Sequence, residues 1–481
     1  MLTDLENIMP CDTHAVYCAD DGRVGPAPSL IRDSSARPEP LAITSYLKFG
    51  AVVPPLSPWT GVRRRLPGCT YGAESTMESN LVKKNIYACA RGIDAQADEI
   101  VSLIDYNLIK CLNGVDDPVL LFSGGVDSGL IASRLMAIGK NETLLLNFSF
   151  GQDDPESALA EAMAGELGLR FERVFERGRP CEVLDRPGEV YPQLFADHGT
   201  VPAANLAHAV VQRLDNKRSV ILDGTGADGA FGMFRKIEHW RHMTALPIWL
   251  RRFGGAIYST GLWRSRHRLE KLLRVMRRSL LGSIPAAVIA QNTLEDVLYE
   301  ARNMEAVVAL LETAVDGWAG PSVARRSVAA DMMLTCAGVF AQKAQPILER
   351  AGHTVVFPFM DTAFVELALN TIDVWSMRTP KHALKVALSR SVPRNLVYRP
   401  KSGFVEREPT VFYSGEFKEM LRDSIGKDAP LAPWIKGPAA RRLLDELNRG
   451  KLFSAQVYNF IWALVFGDRW YKTAPLIHFS A

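Results

Sequence analysis

Two glycine-rich segments in this chain each follow a short apolar run, and each carries acidic residues where a turn would meet a helix. The first is Ser123-Gly124-Gly125-Val126-Asp127-Ser128, after Leu120-Leu121-Phe122 and ahead of a helix-like stretch. Two glycines let a backbone approach an anion closely, and the N-terminus of the following helix offers unpaired N–H groups and a partial positive charge. Ser123 and Ser128 add hydroxyl donors. Asp127 is out of place in a simple anion grip, because a carboxylate repels a phosphate. The pairing becomes sensible when a magnesium ion is shared by the carboxylate and phosphate oxygens. The run is not a Walker loop, since no Gly-Lys-Ser/Thr follows, and it is not a dinucleotide fingerprint. The second segment is Asp223-Gly224-Thr225-Gly226-Ala227-Asp228-Gly229, after Val220-Ile221-Leu222. Taken alone it is an ordinary turn composition. Beside the first loop, its Asp228 supplies a second carboxylate to the same metal.

The elements that must position these loops are legible from periodicity. Apolar runs at 118–122 and 143–150 and the segments 171–175 and 219–222 read as strands, and the stretches following the first loop to about Ile138, from Glu156 to Leu167 and from Pro202 to Leu214 read as helices. Alternation of this kind predicts an α/β fold with a parallel sheet, whose ligands sit beyond the carboxyl ends of the strands. Both glycine-rich loops then share one edge. A helical pattern runs from about Ser79 to Leu112, and residues 231–388 read as mostly helical without further clear strands. Residues 1–40 read as loops and short strands or as a mobile tail, and Tyr458 to Trp470 as a buried terminal helix. The stretch 251–278 carries nine Arg or Lys and one acid, Glu270; Arg264, Arg268 and Lys271 fall at helical spacing, as a solvated face requires.

Composition removes several classes of function. The chain has 481 residues, 47% of them hydrophobic and 23% charged, so it can bury a large core. Its 56 Lys and Arg against 53 Asp and Glu leave a formal charge of +3, which gives no global reason to expect a nucleic-acid partner. Seven cysteines without a C-x-x-C pair disfavour a disulfide scaffold or a structural zinc site, and the histidines show no metal spacing. No secretory signal or bilayer-spanning run is evident, so a cytoplasmic location without a membrane partner is expected.

With those residues in view, the chain resembles a known family. Ser123 to Ser128 is similar to the pyrophosphate loop of the N-type ATP pyrophosphatases. The second loop, continued by Phe231-Gly232, resembles the S-G-E-G-S-D-E-x-F-G segment of asparagine synthetases. Further matches follow in order: Phe357-Pro358-Phe359-Met360-Asp361 with V-P-F-L-D, Lys381 to Lys385 with a lysine-led helix, and Arg399-Pro400-Lys401-Ser402-Gly403-Phe404 with R-x-K-x-G-F. Tyr46 to Gly50 and Leu66 to Gly68 also resemble the end of that family's N-terminal domain. The resemblance implies a synthetase domain of the PP-loop, adenine nucleotide α hydrolase-like class over 79–481, with a helical C-terminal part. It also implies a short N-terminal segment, 1–78, as a degenerate remnant of a glutaminase-type domain.

The reaction implied is ATP-dependent amide formation through an acyl-adenylate, with AMP and pyrophosphate released. By resemblance, Asp127 and Asp228 are the magnesium ligands, and Lys401 stabilises the charge of the leaving pyrophosphate. Leu121, Phe150 and Gly224 join Ser123, Gly124, Gly125, Asp127 and Ser128 around the nucleotide. Two departures stand out. The family glutamate of the second loop is Thr225 here, and the serine before it is Asp223, so Thr225 and Asp223 are the expected acceptor-side residues. In addition, position 2 is Leu, not the glutaminase cysteine, and the nearest cysteine is Cys11. The nitrogen is therefore expected from ammonia, from an amine on the substrate, or through a partner enzyme of a biosynthetic pathway; a homodimer is compatible with the sequence. The expected partners are a small-molecule carboxylic acid and an amine. Rival readings are an intramolecular cyclase like the β-lactam synthetases and lasso-peptide cyclases, a PP-loop tRNA-modifying enzyme, and a non-catalytic relative.

Overall fold

The computed structural model describes residues 11–66, 70–71, 77–78, 92–175, 179, 181–215, 217–260, 267–292, 294, 298–300, 302–371, 379–399 and 410–475. Its centre is a five-stranded parallel sheet in the order Thr354–Val356, Val220–Leu222, Val119–Leu121, Leu144–Ser149, Arg170–Phe175. The middle strand, Val119–Leu121, is buried throughout, as an apolar run covered on both faces must be. Four of these strands are those predicted from the sequence.

The fifth corrects the expectation of no strand beyond residue 231. Thr354–Val356 pairs in parallel with Val220–Leu222 at the sheet edge. The strand runs straight into Phe357-Pro358-Phe359-Met360, so the sequence does not set it apart, but Thr-Val-Val is β-branched throughout and suits a pleated edge.

Helices cover the sheet. Val126–Ala137 leaves the first loop, Pro155–Leu167 is capped by Asp154, whose carboxylate accepts from the Glu156 N–H at 3.0 Å, and Thr200–Leu214 precedes the second loop's strand. The helix predicted over 79–112 is described over Ile93–Cys111; its predicted start lies outside the described residues. At the N-terminal side, Tyr17–Ala19 pairs antiparallel with Val24–Gly25 and with Val62–Arg64, and Pro40–Phe49 is a helix. The C-terminal helix, Ala455–Thr473, is buried as expected, with Trp462 and Trp470 fully covered.

These outer parts close onto one another. The Tyr46 hydroxyl donates to the Ala463 carbonyl at 2.8 Å, and the Trp59 and Trp470 rings lie 6.2 Å apart. One continuous hydrophobic core runs from Cys11 to Ala474 and includes the sheet.

Candidate active site

The first loop is shaped by its own serines. The Ser123 N–H donates to the Ser128 hydroxyl at 3.2 Å, and the Gly125 N–H to the Ser123 hydroxyl at 3.3 Å. Gly124 has φ +64°, and a Cβ there would lie 2.5 Å from the Ala160 Cα, so only glycine fits between the loop and the Pro155–Leu167 helix. No side chain caps the Val126–Ala137 helix. Helix N-termini carry unpaired N–H groups and a partial positive charge.

The second loop meets the first because their strands are neighbours in the sheet. A Cβ on Gly224 would sit 3.3 Å from both the Asp127 Cβ and the Ser128 backbone N, so the glycine permits the close approach. Within the second loop, the Thr225 N–H and hydroxyl both donate to Asp223 Oδ1 at 2.7 Å. Burial pushes the Asp223 carboxyl above its ordinary pKa, against the two Thr225 bonds, and the nearby Asp127 pushes the same way as burial.

The deciding contact joins three distant parts of the chain. Lys381 Nζ lies 2.6 Å from Asp127 Oδ2 and 2.7 Å from Asp228 Oδ1. The two carboxylates therefore approach within about 5.3 Å, since both touch one nitrogen. Lys381 opens the His382–Leu388 helix with φ +56°, a conformation uncommon for a residue with a side chain, and its N–H donates to the Phe231 carbonyl at 3.1 Å. Burial opposes the lysine's charge, but the two carboxylates outweigh it and hold its pKa above the ordinary value. A position where two carboxylates already share one positive charge fits a divalent cation, and magnesium typically takes one or two carboxylates and completes its shell with phosphate oxygens and water.

Around this point opens a cleft of about 1000 Å³. Its walls contain Leu121, Ser123, Gly125, Asp127, Ser128, Phe150, Asp223, Gly224, Thr225 and Asp228, so the sequence-predicted residues on both loops come together. Gly124 is not in the wall; it supports the loop from behind. Lys401 lies outside the described residues. Arg399, two positions earlier, is described: its guanidinium donates to Glu156 Oε2 at 2.8 Å and to the Gly124 carbonyl at 3.1 Å.

The chain belongs to the asparagine synthase family. The family's sequence profile matches residues 112–467, well over half the chain. Relatives from Mycobacterium bovis and Mycobacterium tuberculosis, named "Putative asparagine synthetase (glutamine-hydrolyzing)", are 26% identical over 392 residues, or 78% of this chain and 58% of theirs. The chain thus spans a little over half the length of these relatives. In this member of the asparagine synthase family, no helix among the described residues is long and apolar enough to cross a membrane.

Sequence reasoning missed two ion-pair arrangements, the first beside the cleft. Lys381 was visible only as the head of a helix, and nothing in its neighbours points to Asp127, 254 positions away. The second is an ion pair on the wall, Lys343 Nζ to Asp197 Oδ1 at 2.8 Å. Burial works against the Asp197 charge, but Lys343 and other neighbours hold its pKa below the ordinary value. Lys343 follows a π-helical segment, Asp331–Phe340, that brings Cys336 and Phe340 to the same wall. Such segments often mark functional sites, but the sequence carries no clear signal for one.

Proposed function

We propose that this chain is an ATP-dependent carboxylate–amine ligase that works through an acyl-adenylate. A carboxylate oxygen of the acid attacks the α-phosphorus of ATP and pyrophosphate leaves. An amine nitrogen then attacks the acyl carbon, and AMP leaves as the amide forms. The observation that carries this reading is the meeting of Asp127 and Asp228 on one cation at the carboxyl edge of the sheet. These two carboxylates would hold a magnesium ion, which supplies charge neutralisation for the departing pyrophosphate. The backbone of Gly124 and Gly125, the hydroxyls of Ser123 and Ser128 and the helix N-terminus hold the phosphates. Lys401, by family resemblance, adds a further positive charge to the leaving group.

On the acceptor side, Asp223 and Thr225 line the same cleft, already bonded to each other. Thr225 cannot act as a base at neutral pH, so the pair orients the acid or the incoming amine. The amine is ammonia or one borne by the substrate. In support, the Cys11 thiol is 3% exposed, burial pushes its pKa far above the ordinary thiol value, and it faces a separate cavity of about 570 Å³. A nucleophilic cysteine needs the opposite environment.

The test is exchange of labelled pyrophosphate into ATP by the purified chain, with magnesium and pools of candidate acids. Acid-dependent exchange is expected. Exchange that requires total RNA instead would favour the tRNA-modifying alternative, and absence of both nucleotide binding and exchange would favour the non-catalytic one. Formation of a ring from a single substrate would identify the intramolecular variant. Glutamate release from glutamine by the pure chain would overturn the assignment of the nitrogen source.

A further inference from the structure

We propose that Lys381 is the resident cation of the Asp127–Asp228 position, and that it hands its place to a divalent ion only when a nucleotide arrives to receive the displaced ammonium. The inference rests on the magnesium reading above and adds a role for a residue that reading does not use. Lys381 lies at salt-bridge distance from both carboxylates, 2.6 Å and 2.7 Å, and its side chain is only 9% exposed. Its placement is built in. The backbone takes φ +56° at the head of a helix and is tied through its N–H to the Phe231 carbonyl, three residues beyond Asp228.

An ammonium and a divalent cation cannot occupy the same point between two carboxylates. For a free metal ion to enter, Lys381 must leave both acceptors and stay buried near a doubly charged ion, with no anion to replace them. A polyphosphate removes that obstacle, because its oxygens accept the three N–H bonds Lys381 can donate. Metal alone therefore binds poorly, and metal with nucleotide binds well. Between nucleotides, Lys381 also keeps the two loops closed, since like-charged carboxylates at this separation would repel.

The distinguishing consequence is a gain. Replacing Lys381 with a neutral side chain removes its positive charge from the two carboxylates and the obstacle to entry between them, so they bind a bare divalent ion more tightly. Meanwhile nucleotide affinity falls, because the phosphates lose a partner. A lysine with only a structural role would weaken both together. The experiment measures free Mn²⁺ by electron paramagnetic resonance over the full chain, without nucleotide. The variants are wild type, Lys381→Met, Lys381→Arg and Lys381→Met with Asp228→Asn, with circular dichroism to confirm folding. Lys381→Met is expected to bind Mn²⁺ at least tenfold more tightly than wild type, and Lys381→Arg no more tightly. Adding Asp228→Asn should abolish the gain. Should Lys381→Met not fold, Lys381→Gln, which keeps a donor between the carboxylates, gives the same readout. Unchanged or weaker Mn²⁺ binding in the folded neutral variant overturns the proposal. A gain that survives Asp228→Asn places the metal elsewhere and overturns the magnesium reading instead.

Discussion

Lys381 and Arg278 are both basic residues drawn out of solvent, and they are used in opposite ways. Lys381 takes its partners from two loops that lie 254 and 153 positions away in sequence. Arg278 ends the helix His267–Arg278, which packs on Ile248–Thr260, and it donates to carbonyls of its own neighbourhood, Ala287 and Val288, while stacking 4.9 Å from the Trp240 ring. Arg251 does the same with the carbonyls of Leu246 and Ser279. The stretch densest in positive charge thus spends part of it holding itself together, while exposed Arg252 and Lys271 face water. Arg264 and the side chain of Arg268, which the sequence set beside Lys271 on a solvated face, lie outside the described residues. Chemistry concentrates where charges from distant segments converge on one point, and local charge density is a poor guide to it.

Breaking the convergent site should have the largest effect. Asp127→Ala or Asp228→Ala is expected to lower pyrophosphate exchange by about 10²–10³, the usual loss when one element of transition-state charge stabilisation is removed. Both residues sit at loop–helix junctions, so circular dichroism should show the fold retained. More than about a tenth of the activity remaining in either variant would contradict the metal assignment, given that expected loss.

Gly124→Ala tests the same side through shape alone. The new Cβ would meet the Ala160 Cα at 2.5 Å, and the φ of +64° adds backbone strain. Overpacking of this kind costs roughly 1–3 kcal/mol. We expect a lower melting temperature together with weaker ATP binding by calorimetry. Binding that survives unchanged would mean the loop does not have to keep this conformation to hold phosphate.

How much of this was open to reading from the sequence depends on whether the signal is local. The strands at 118–122, 143–150 and 219–222 stand out because each is mostly apolar and bounded by turn residues, and the one at 171–175 because Phe171, Val174 and Phe175 follow a helix-like stretch. Asp127 and Asp228 stand out because each lies in a glycine-rich loop after a short apolar run. Thr354–Val356 was hidden because it runs straight into Phe357-Pro358-Phe359-Met360 and does not stand apart as a segment of its own. Lys381 and the Lys343–Asp197 pair were hidden because their partners are supplied only by the fold, and no spacing in the chain encodes a contact across 254 or 146 positions. Asp223 falls between: its position in the loop was plain, but its bond to Thr225 was not.

Asp223 gives a prediction in pH. Burial raises its pKa in the folded chain above the unfolded value of about 3.9. Between those two values the unfolded state has lost its proton and the native state has kept it, so this group lowers stability as pH rises through that window. Asp223→Asn removes the effect while leaving an oxygen to accept from Thr225. Melting temperatures taken from about pH 4 upward should fall less steeply with pH in the variant than in the wild type. Parallel curves would mean that burial does not raise the Asp223 pKa in the folded chain.

The smallest effects on the site belong to the basic hairpin, whose effects on stability divide along the comparison. Arg278→Ala leaves two carbonyls short of a donor and should cost about 1–3 kcal/mol of stability, read from denaturant midpoints. Arg252→Glu and Lys271→Glu reverse charge in solvent and should stay within about 0.5 kcal/mol, which is about twofold in any equilibrium. None of the three residues lines the cleft, so ATP affinity should hold in all three variants. The reversal of Arg252 and Lys271 is the sharper member of the set, because it changes the hairpin's charge by four units without touching a described hydrogen bond of either residue. A loss of ATP or acid binding well beyond twofold in that double variant would mean that the hairpin's charge reaches the site through the field of the protein. The contrast between convergent and self-directed charge would then fail at its weaker end.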